Sequence, residues 1–385
     1  MNTVAAPEAR RDAWRKVRRL LAVRLDNLGD LLMTTPALAA LRETLPDAHI
    51  TLLGSSAVAC ARPHLAMVDS AISFDAPWVR HAELPAQLEL PGQAEAALLR
   101  QLTQMRYDAV VIFTTSTQSP LPMAMLARQA GIPLRLAHCR ENPYALLSDW
   151  VPETDTLSAH MRHEVRRQLD LVAHIDARTA DERLRFRLLP LDQKHAEALL
   201  HKAGLSGRRS YVVVHPGASA ASRRWPPARF GAAADLIAAN SGCQIVFCGT
   251  QGEAELIAEA RAAMNGPSIS LDGALSLGEF AAVLDGASLI LCNNSAPAHL
   301  AAALGTPIVE LYALTNPQHT PWRVPSRVLN HNVPCRWCLK STCPERHNDC
   351  LRRIHPARAA EAAVQLLRAP RRLPDDSSQL EGLVA

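Results

Sequence analysis

The sequence predicts an α/β protein with two doubly wound parallel sheets, one in each half of the chain. Its 385 residues exceed what one ordinary hydrophobic core requires, which indicates two domains. Short apolar runs alternate with helix-like segments, as they do in a parallel sheet that crossover helices cover on both faces. The alternation stops in a charged stretch around residues 182–210 and then starts again.

In the first half, residues 20–25 are predicted to form a buried strand. Residues 29–45 are predicted to form a helix, because their leucines recur on related faces. Pro36 is expected to start or kink part of that helix. Residues 49–53 form the second predicted strand, and residues 109–113 form the third.

In the second half, the charged stretch at residues 182–210 indicates a linker that contains a helix. The strand pattern then returns in four apolar runs, at residues 211–214, 245–247, 289–291 and 307–311. The last residues, from about 370, are rich in Pro, Asp and Ser, which predicts a disordered tail over residues 371–385.

Composition excludes several classes of protein. The net charge of +4 argues against a nucleic-acid partner, and the aromatic content of 4% argues against a stacking platform for single strands. No apolar run reaches the roughly 20 residues of a membrane-spanning helix, so we expect a cytoplasmic protein. Basic residues crowd between Arg10 and Arg19, which leaves two interpretations: a solvated leader, or peripheral attraction to the anionic cytoplasmic face of the inner membrane.

A carboxylate follows the first predicted strand. The motif is Arg24-Leu25-Asp26-Asn27-Leu28-Gly29-Asp30, in which a strand ends, a glycine permits the turn and Asp30 begins a helix. Ligands of parallel sheets bind at this edge, where a carboxylate can accept a proton from a substrate hydroxyl. Asp30 is therefore a candidate general base, and the alternative is a helix cap that complements the helix dipole. Asp26 is the second candidate base, with an ordinary turn residue as its alternative.

A loop of small residues and two arginines follows the strand at residues 211–214. It reads His215-Pro216-Gly217-Ala218-Ser219 and continues to Ser222-Arg223-Arg224-Trp225-Pro226. Small residues let backbone N–H groups approach a phosphate, and an arginine binds two phosphate oxygens at once. The loop is a candidate phosphate site, and an ordinary surface loop explains the pattern equally well.

A third motif, Cys292-Asn293-Asn294-Ser295-Ala296-Pro297-Ala298-His299, follows a strand and begins an Ala-rich helix. Ser295 is expected to cap this helix, and Pro297 is expected in its first turn. The N–H groups of that turn would then bind a diphosphate. His299 is either a ligand of that anion or a structural histidine.

A fourth motif, Cys248-Gly249-Thr250-Gln251-Gly252-Glu253, follows the strand at residues 245–247. Its glycines permit a sharp turn. Glu253 is a candidate acceptor of hydrogen bonds from ribose hydroxyls, and the alternative is an ordinary acidic residue in the first turn of a helix.

The cysteines leave one question open. They number nine, an odd count, and five are scattered singly, which favours reduced thiols over a disulfide framework. The other four, Cys335, Cys338, Cys343 and Cys350, crowd into one segment with His347 nearby. The first pair has the spacing of a zinc site, but the last two are too far apart to form a matched pair. Free thiols are favoured over the two alternatives, a structural metal site and a disulfide.

Together these motifs resemble those of glycosyltransferase family 9, the ADP-heptose:lipopolysaccharide heptosyltransferases. The resemblance covers roughly residues 20–366, and its specificity comes from the order and spacing of the motifs. It is carried by residues 24–30 with Thr34-Thr35-Pro36, by His215-Pro216-Gly217 with Arg223-Arg224-Trp225-Pro226, and by residues 293–299 with Ala301-Ala302-Ala303-Leu304-Gly305-Thr306-Pro307.

The resemblance implies a GT-B fold, in which two Rossmann-like domains face each other across a cleft. Residues 1–190 would bind the acceptor, and residues 191–370 would bind the nucleotide sugar. The implied reaction moves a heptose or related sugar from a nucleotide diphosphate, such as ADP-heptose, to a lipopolysaccharide core or similar glycan. It inverts the anomeric carbon and uses neither a catalytic metal nor another cofactor.

The resemblance also assigns residues. Asp30 falls at the position of the family's catalytic base, and Arg223 falls where the family usually has a lysine that contacts the donor. The remaining donor-contact positions are occupied by Ser219, Glu253, Leu275, Asn294, Ser295, Ala296 and His299.

Residues 294–296 depart from the family, which usually has Asp-Ser/Thr-Gly there. Asn294 keeps the shape of an aspartate without its charge, and Ala296 adds a methyl group beside the predicted phosphate path. Two alternatives follow: a transferase that uses a different donor sugar, or a non-catalytic nucleotide-sugar-binding protein of the same fold. A Rossmann dehydrogenase is disfavoured, because no strand is followed by Gly-x-Gly-x-x-Gly.

Overall fold

A computed structural model of the protein describes residues 7–79, 92–158, 160–205 and 210–369. The chain divides into two compact units. Unit 1 comprises Met1–Thr156 and Glu164–Glu182, and unit 2 comprises Leu157–His163 and Arg183–Ala385. The chain therefore passes from one unit to the other three times.

Two predictions about domain organisation stay untested. The assignment of an acceptor domain to residues 1–190 and of a donor domain to residues 191–370 stays a prediction. The predicted disordered tail, residues 371–385, lies outside the described residues.

Unit 1 is built on a parallel sheet of six strands, in the order β3-β2-β1-β4-β5-β6. Along the chain these strands are β1 (Arg19–Arg24), β2 (His49–Gly54), β3 (Ser70–Ser73), β4 (Ala109–Phe113), β5 (Leu134–Cys139) and β6 (Asp149–Pro152). The register pairs Arg19 of β1 with His49 of β2, and Leu20 of β1 with Ala109 of β4.

The helices described in unit 1 are α1 (Pro7–Arg15), α2 (Leu28–Thr44), α3 (Ser56–Ala59), α4 (Gln93–Met105), α5 (Leu121–Gln129) and α6 (Glu164–Ala173). One face of the sheet packs against α4 and α5, with Val23, Ile112, Leu102 and Met123 in the shared core. α2 packs against α6, the last helix of the unit along the chain.

α2 is buried along most of its length, although it contains a proline. Its residues from Gly29 to Leu41 are all buried, and Pro36 lies inside the helix. Pro36 has no N–H to donate to the Leu32 carbonyl one turn earlier. The Thr35 hydroxyl donates to that carbonyl instead, at 2.6 Å. Because Pro36 lies inside α2, the expectation that it starts a helix is wrong.

Unit 2 contains a second parallel sheet of six strands, in the order β12-β11-β10-β7-β8-β9. Along the chain these strands are β7 (Tyr211–His215), β8 (Gln244–Phe247), β9 (Ile269–Ser270), β10 (Leu289–Asn293), β11 (Ile308–Leu311) and β12 (Ser326–Leu329). Its described helices are α7 (Pro190–Lys202), α8 (Pro227–Ser241), α9 (Ala254–Ala262), α10 (Leu277–Gly286), α11 (Ala296–Leu304), α12 (Asp349–Arg352) and α13 (Pro356–Arg368).

One face of the unit 2 sheet forms a core with α8, α9 and α13. This core contains Val214, Leu291, Val309 and Leu311 from the strands. α11 packs against β10 and β11 but contributes no residue to that core. Since side chains alternate between the two faces of a strand, the residues between the named ones face the other side of the sheet.

The two sheets share one topology. Counted from the first strand of each unit, both have the order 3-2-1-4-5-6, which is that of a Rossmann sheet. The strand order changes direction between the adjacent first and fourth strands, which run parallel, so the crevice outside their carboxyl ends is the expected ligand site. In unit 1 these strands are β1 and β4, and in unit 2 they are β7 and β10.

The predicted α/β fold with two parallel sheets is confirmed, and so are the predicted strands, within one or two residues at their ends. The helix expected in the charged stretch is α7. Within the described ranges, none of the helices has both the length and the apolar character that crossing a bilayer requires.

Candidate active site

The carboxyl edge of the unit 1 sheet carries a buried cluster of charges around Arg24, the last residue of β1. The Arg24 side chain is fully buried. Its guanidinium lies 2.9 Å from Asp26 Oδ2, 3.0 Å from Glu164 Oε1 and 3.5 Å from Asp30 Oδ1. One cation is therefore shared by three carboxylates.

Asp30 lies in the first turn of α2 and is 8% exposed. Its Oδ2 accepts a hydrogen bond from the backbone N–H of Asn27 at 3.1 Å, while its Oδ1 faces Arg24. The structure thus includes the helix-capping contact of Asp30. Its assignment as the catalytic base stays a prediction.

Asp26 is more than a turn residue, because it is only 4% exposed and pairs with Arg24. The side-chain amide of Gln118 donates to its Oδ1. Burial raises the pKa of Asp26 to about 6, against the lowering effect of Arg24 and together with the raising effect of Asp30. Asp26 therefore holds its proton to a higher pH than an exposed aspartate does.

Two members of this cluster were not predicted from the sequence. Glu164, at the start of α6, accepts hydrogen bonds from both terminal nitrogens of Arg24 at 3.0 Å and from Gln168 Nε2 at 2.7 Å. Glu164 and Arg24 are 140 residues apart in the chain, so no local motif joins them. Gln118 follows β4, which pairs with β1, so its side chain reaches Asp26 only through the sheet pairing.

A cavity of about 310 Å³ lies beside Asp26 in unit 1. Part of its wall is apolar, and the rest presents hydroxyl and amide groups. The apolar part includes Trp78, Ile112 and Met123, and the polar part includes Thr114, Thr117, Gln118 and Ser119. An apolar surface with a few placed polar groups is the usual lining of a small-molecule site.

In unit 2, Asn293 ties the predicted phosphate loop to the sheet. Its buried side chain ends β10. Oδ1 accepts a hydrogen bond from Trp225 N–H at 3.0 Å, and Nδ2 donates to the carbonyls of Pro216 at 2.8 Å and Gly217 at 3.3 Å. A neutral amide therefore fixes the loop after β7 against the end of β10.

The next residues support the start of α11. Asn294 Oδ1 accepts a hydrogen bond from Ala313 N–H at 3.2 Å, which fastens the end of β11. Ser295 is the N-cap residue, but its hydroxyl donates to the Asn293 carbonyl at 3.3 Å and makes no side-chain cap. Ser295 therefore occupies the predicted capping position of α11, although its side chain makes no capping hydrogen bond. Pro297 lies in the first turn, as predicted, after Ala296 begins the helix.

Glu253 contacts the same loop through Gly217. Its Oε2 accepts hydrogen bonds from Thr250 N–H at 2.8 Å and from the Thr250 hydroxyl at 2.9 Å. A Cβ atom added to Gly217 would lie 1.8 Å from Glu253 Oε1, so a larger residue there would displace the Glu253 carboxylate. Oε2 also lies 3.7 Å from His215 Nε2. Burial lowers the pKa of His215, and the charge of Glu253 raises it.

Arg223 is half-buried and ends a short turn, Ala221–Arg223. The preceding Ser222 donates from its N–H to Ser341 O at 2.9 Å and from its hydroxyl to Lys340 O at 2.7 Å. Both carbonyls belong to the cysteine-rich segment, residues 335–350. That segment therefore supports the loop that carries Arg223.

The structure brings most of the predicted donor residues to one edge of unit 2. They follow β7, β8 and β10, which are adjacent in the sheet. This group consists of Ser219, Arg223, Glu253, Asn294, Ser295, Ala296 and His299. Ser219 is exposed, whereas His299 is 4% exposed. Leu275 is half-buried between β9 and α10, at the end of the same sheet, and Asp30 belongs to unit 1.

The cysteines are all free thiols in the structure. Cys335 Sγ lies 3.9 Å from His347 Nε2, and burial raises the pKa of both Cys335 and Cys350. Across the described ranges, no three His, Cys, Asp or Glu side chains are arranged to hold a metal ion. The choice among thiols, metal and disulfide in this segment stays a prediction.

Comparison with known proteins agrees with the topology. The sequence model of glycosyltransferase family 9 (heptosyltransferase) matches residues 95–349. Lipopolysaccharide heptosyltransferase 3 of Escherichia coli is 24% identical over 304 residues, which are 77% of this chain and 83% of that protein.

Solved structures share the fold. A glycosyl transferase family 9 protein from Veillonella parvula superposes with a TM-score of 0.75 at 22% identity, covering 91% of this chain and 97% of that one. An E. coli heptosyltransferase solved with ADP superposes with a TM-score of 0.57 at 18% identity, covering 89% of this chain and 96% of that one. The GT-B fold class is thereby confirmed. Since the family model spans most of the chain, the protein belongs to glycosyltransferase family 9 and is a glycosyltransferase.

Proposed function

We propose that the protein transfers a heptose from ADP-heptose to a lipopolysaccharide core acceptor, with inversion of the anomeric carbon and without a catalytic metal. One observation carries this proposal. The two Rossmann sheets offer opposite chemistry at the equivalent edge, a carboxylate cluster in unit 1 and a loop with an arginine beside a helix start in unit 2. Glycosyl transfer requires both, a base for the acceptor and a cation for the leaving diphosphate.

Unit 1 is proposed to bind the acceptor. The cavity beside Asp26 offers Trp78 as an apolar surface for a sugar ring and several hydroxyl and amide groups for its hydroxyls. Asp30 removes the proton of the attacking hydroxyl, and its carboxylate is held by Arg24 and by the N–H of Asn27. This fixed geometry suits a base, which must meet its proton at hydrogen-bond distance.

Unit 2 is proposed to bind the donor. Arg223 and the first turn of α11 offset the charge that grows on the leaving diphosphate. Glu253, fixed by Thr250, is proposed to accept hydrogen bonds from the ribose. Support for ADP as the nucleotide comes from the E. coli heptosyltransferase that was solved with it.

The proposed acceptor also indicates where in the cell the protein acts. A lipopolysaccharide core is carried on a lipid, so we propose that the protein acts in the cytoplasm at the inner face of the inner membrane. Two of the N-terminal arginines pair within unit 1, since Arg10 lies 3.8 Å from Asp149 and Arg11 lies 3.7 Å from Asp176. These pairs hold that part of the basic segment on unit 1, so any membrane contact is proposed for the remaining basic residues.

The assignment of Asp30 is tested by Asp30→Asn, assayed with ADP-heptose and extracted lipopolysaccharide cores. We expect kcat to fall about 10²–10⁴-fold while the donor KM changes little, because the amide keeps the shape but cannot take a proton. Asp47→Asn, a change in a surface pair with Arg18, is the matched control and should keep full turnover. Unchanged kcat in Asp30→Asn would exclude Asp30 as the base.

Donor identity and metal independence need separate measurements. A panel of nucleotide sugars should single out ADP-heptose by thermal stabilisation, since a ligand at 100 times its Kd adds about 2.7 kcal/mol to the folded state. Turnover should persist after chelation of divalent cations. Binding of ADP-heptose without turnover on any core would favour the non-catalytic alternative.

A further inference from the structure

The cavity beside Asp26 in unit 1 has a fixed polar wall. Its volume is about 310 Å³. Ligand pockets of proteins span roughly 300–1,000 Å³, so this one suits a single sugar unit rather than a long chain. The side-chain amide of Gln118 is held at both ends, because its Oε1 accepts a hydrogen bond from Thr115 N–H at 3.0 Å and its Nε2 donates to Asp26 Oδ1. Asp26 therefore lines the cavity in a defined position.

The charge at this wall is negative. Of the described residues that line the cavity, Asp26 is the charged one. The cation that pairs with it, Arg24, is fully buried and is shared with Asp30 and Glu164. One guanidinium thus serves three carboxylates, so the cluster beside the cavity has an excess of negative charge when they are ionised.

Two other arginines lie near the cavity without lining it. Arg167 donates to a wall carbonyl, but it is 1% exposed and its charge is matched by Glu153. Arg140 is exposed and donates to two backbone carbonyls outside the wall, at 3.0 and 3.3 Å. Ser119 in the wall binds a further carboxylate, since its hydroxyl donates to Glu141 Oε1 at 2.7 Å. The described surroundings of the cavity therefore disfavour another negative charge.

We propose that this cavity takes an uncharged sugar unit of the acceptor and rejects a unit that carries phosphate or carboxylate, with Asp26 as the residue that sets this specificity. The inference rests on the proposed acceptor site in unit 1. An ionised carboxylate only accepts hydrogen bonds, so Asp26 binds a sugar hydroxyl, which can donate. An ionised phosphate donates nothing to Asp26 and places a like charge beside it.

The position of the cavity connects this specificity with catalysis. Asp26 and Asp30 contact the same guanidinium, at 2.9 and 3.5 Å, so the cavity adjoins the cluster that contains the proposed base. The sugar unit in the cavity is then the unit that receives the heptose. Phosphate groups on other parts of the acceptor are not subject to this selection.

The test compares two ligands that differ by one group, a methyl heptoside and the same glycoside with one phosphate. Their dissociation constants are measured by ligand-observed NMR with the full chain at pH 8, where Asp26, whose pKa is about 6, is ionised. We expect the wild type to bind the uncharged glycoside at least about tenfold more tightly, because like charges placed together oppose binding. Asp26→Asn should remove most of this preference, and Asp47→Asn, a change in an exposed pair, should keep it.

A second variant adds a charge, and it serves as well where Asp26→Asn does not fold. Thr117 lines the cavity and is exposed, so Thr117→Arg puts a cation in the wall without disturbing the core. It should bind the phosphorylated glycoside more tightly than the wild type does and so reduce or invert the preference. Thr103→Arg, an exposed position on α4, is the matched control and should keep the wild-type ratio.

The outcomes separate this inference from the proposed function. A wild type that binds both glycosides equally, prefers the phosphorylated one or binds neither would overturn the inference. A preference that either Asp26→Asn or Thr117→Arg leaves unchanged would overturn it as well. The proposed function fails on a different measurement, the absence of heptose transfer from ADP-heptose to extracted lipopolysaccharide cores.

Discussion

The two sheet edges have the same topology and opposite ways of burying polar groups. At the unit 1 edge, Arg24 sits among three carboxylates, so charge is balanced by charge. At the unit 2 edge, the neutral amides of Asn293 and Asn294 fasten backbone groups of neighbouring loops. The Rossmann order therefore sets where a site lies, whereas the side chains that follow each strand decide its chemistry.

We therefore expect the two edges to be destabilised by different kinds of substitution. The unit 1 edge should respond to the removal of a charge and to pH, because one guanidinium serves several carboxylates. The unit 2 edge should respond to the addition of volume, because its loops meet at van der Waals distance around Gly217.

The largest effect is expected from Arg24→Met. The change leaves Asp26, Asp30 and Glu164 buried without their shared cation, and breaking a buried ion pair typically costs 3–5 kcal/mol. Urea denaturation measures this loss. Arg18→Met is the matched control, because its pair with Asp47 is exposed and worth less than about 1 kcal/mol. Equal losses in the two variants would show that the charge cluster does not stabilise unit 1.

The second largest effect is the pH dependence of the stability that Asp26 contributes. The pKa of Asp26 rises from 3.8 to about 6 on folding, so the folded state binds this proton more tightly than the unfolded chain. Stability from this group is therefore present at low pH and is lost as pH rises through about 6. Asp26→Asn removes the titration, so its stability relative to the wild type should increase between pH 4 and pH 7.5 by up to about 3 kcal/mol. Denaturation at both pH values checks this, and a change of opposite sign refutes the assignment.

The smallest effect is expected at the unit 2 edge. Gly217→Ala places a Cβ atom 1.8 Å from Glu253 Oε1, whose carboxylate is held by Thr250. Overpacking of this kind costs about 1–3 kcal/mol, and the displaced loop should also weaken ADP binding. In Gly252→Ala the nearest atom is 3.9 Å away, so stability and ADP affinity should remain close to wild type. Similar losses in both alanine variants would contradict the close contact at Gly217.

The sequence was informative where a local pattern determines structure. Apolar runs located the strands. The motif after each strand lies at the carboxyl edge, because the carboxyl ends of parallel strands meet at one edge of the sheet. Local patterns failed where a partner is remote. Glu164 reaches Arg24 through the packing of α6 on α2, and the sequence around Arg24 contains no pattern that predicts this contact.

Competing hydrogen bonds account for the remaining differences. Ser295 was expected to cap α11, and it holds the N-cap position, but its hydroxyl donates to the Asn293 carbonyl. Pro36 was expected to start or kink part of a helix; it does not start one but lies inside α2, where the Thr35 hydroxyl donates to the carbonyl that the proline leaves open. Both outcomes depend on a rotamer choice that residue type alone does not specify.

The interleaved path of the chain has a consequence for synthesis on the ribosome. Unit 1 takes its last helix from Glu164–Glu182, after a stretch, Leu157–His163, that belongs to unit 2. A nascent chain that ends before Glu164 contains the six strands of the unit 1 sheet but lacks the α6 residue that pairs with Arg24. Completion of the first unit must therefore wait until α6 leaves the exit tunnel, and a fragment truncated at residue 156 should depend on chaperones.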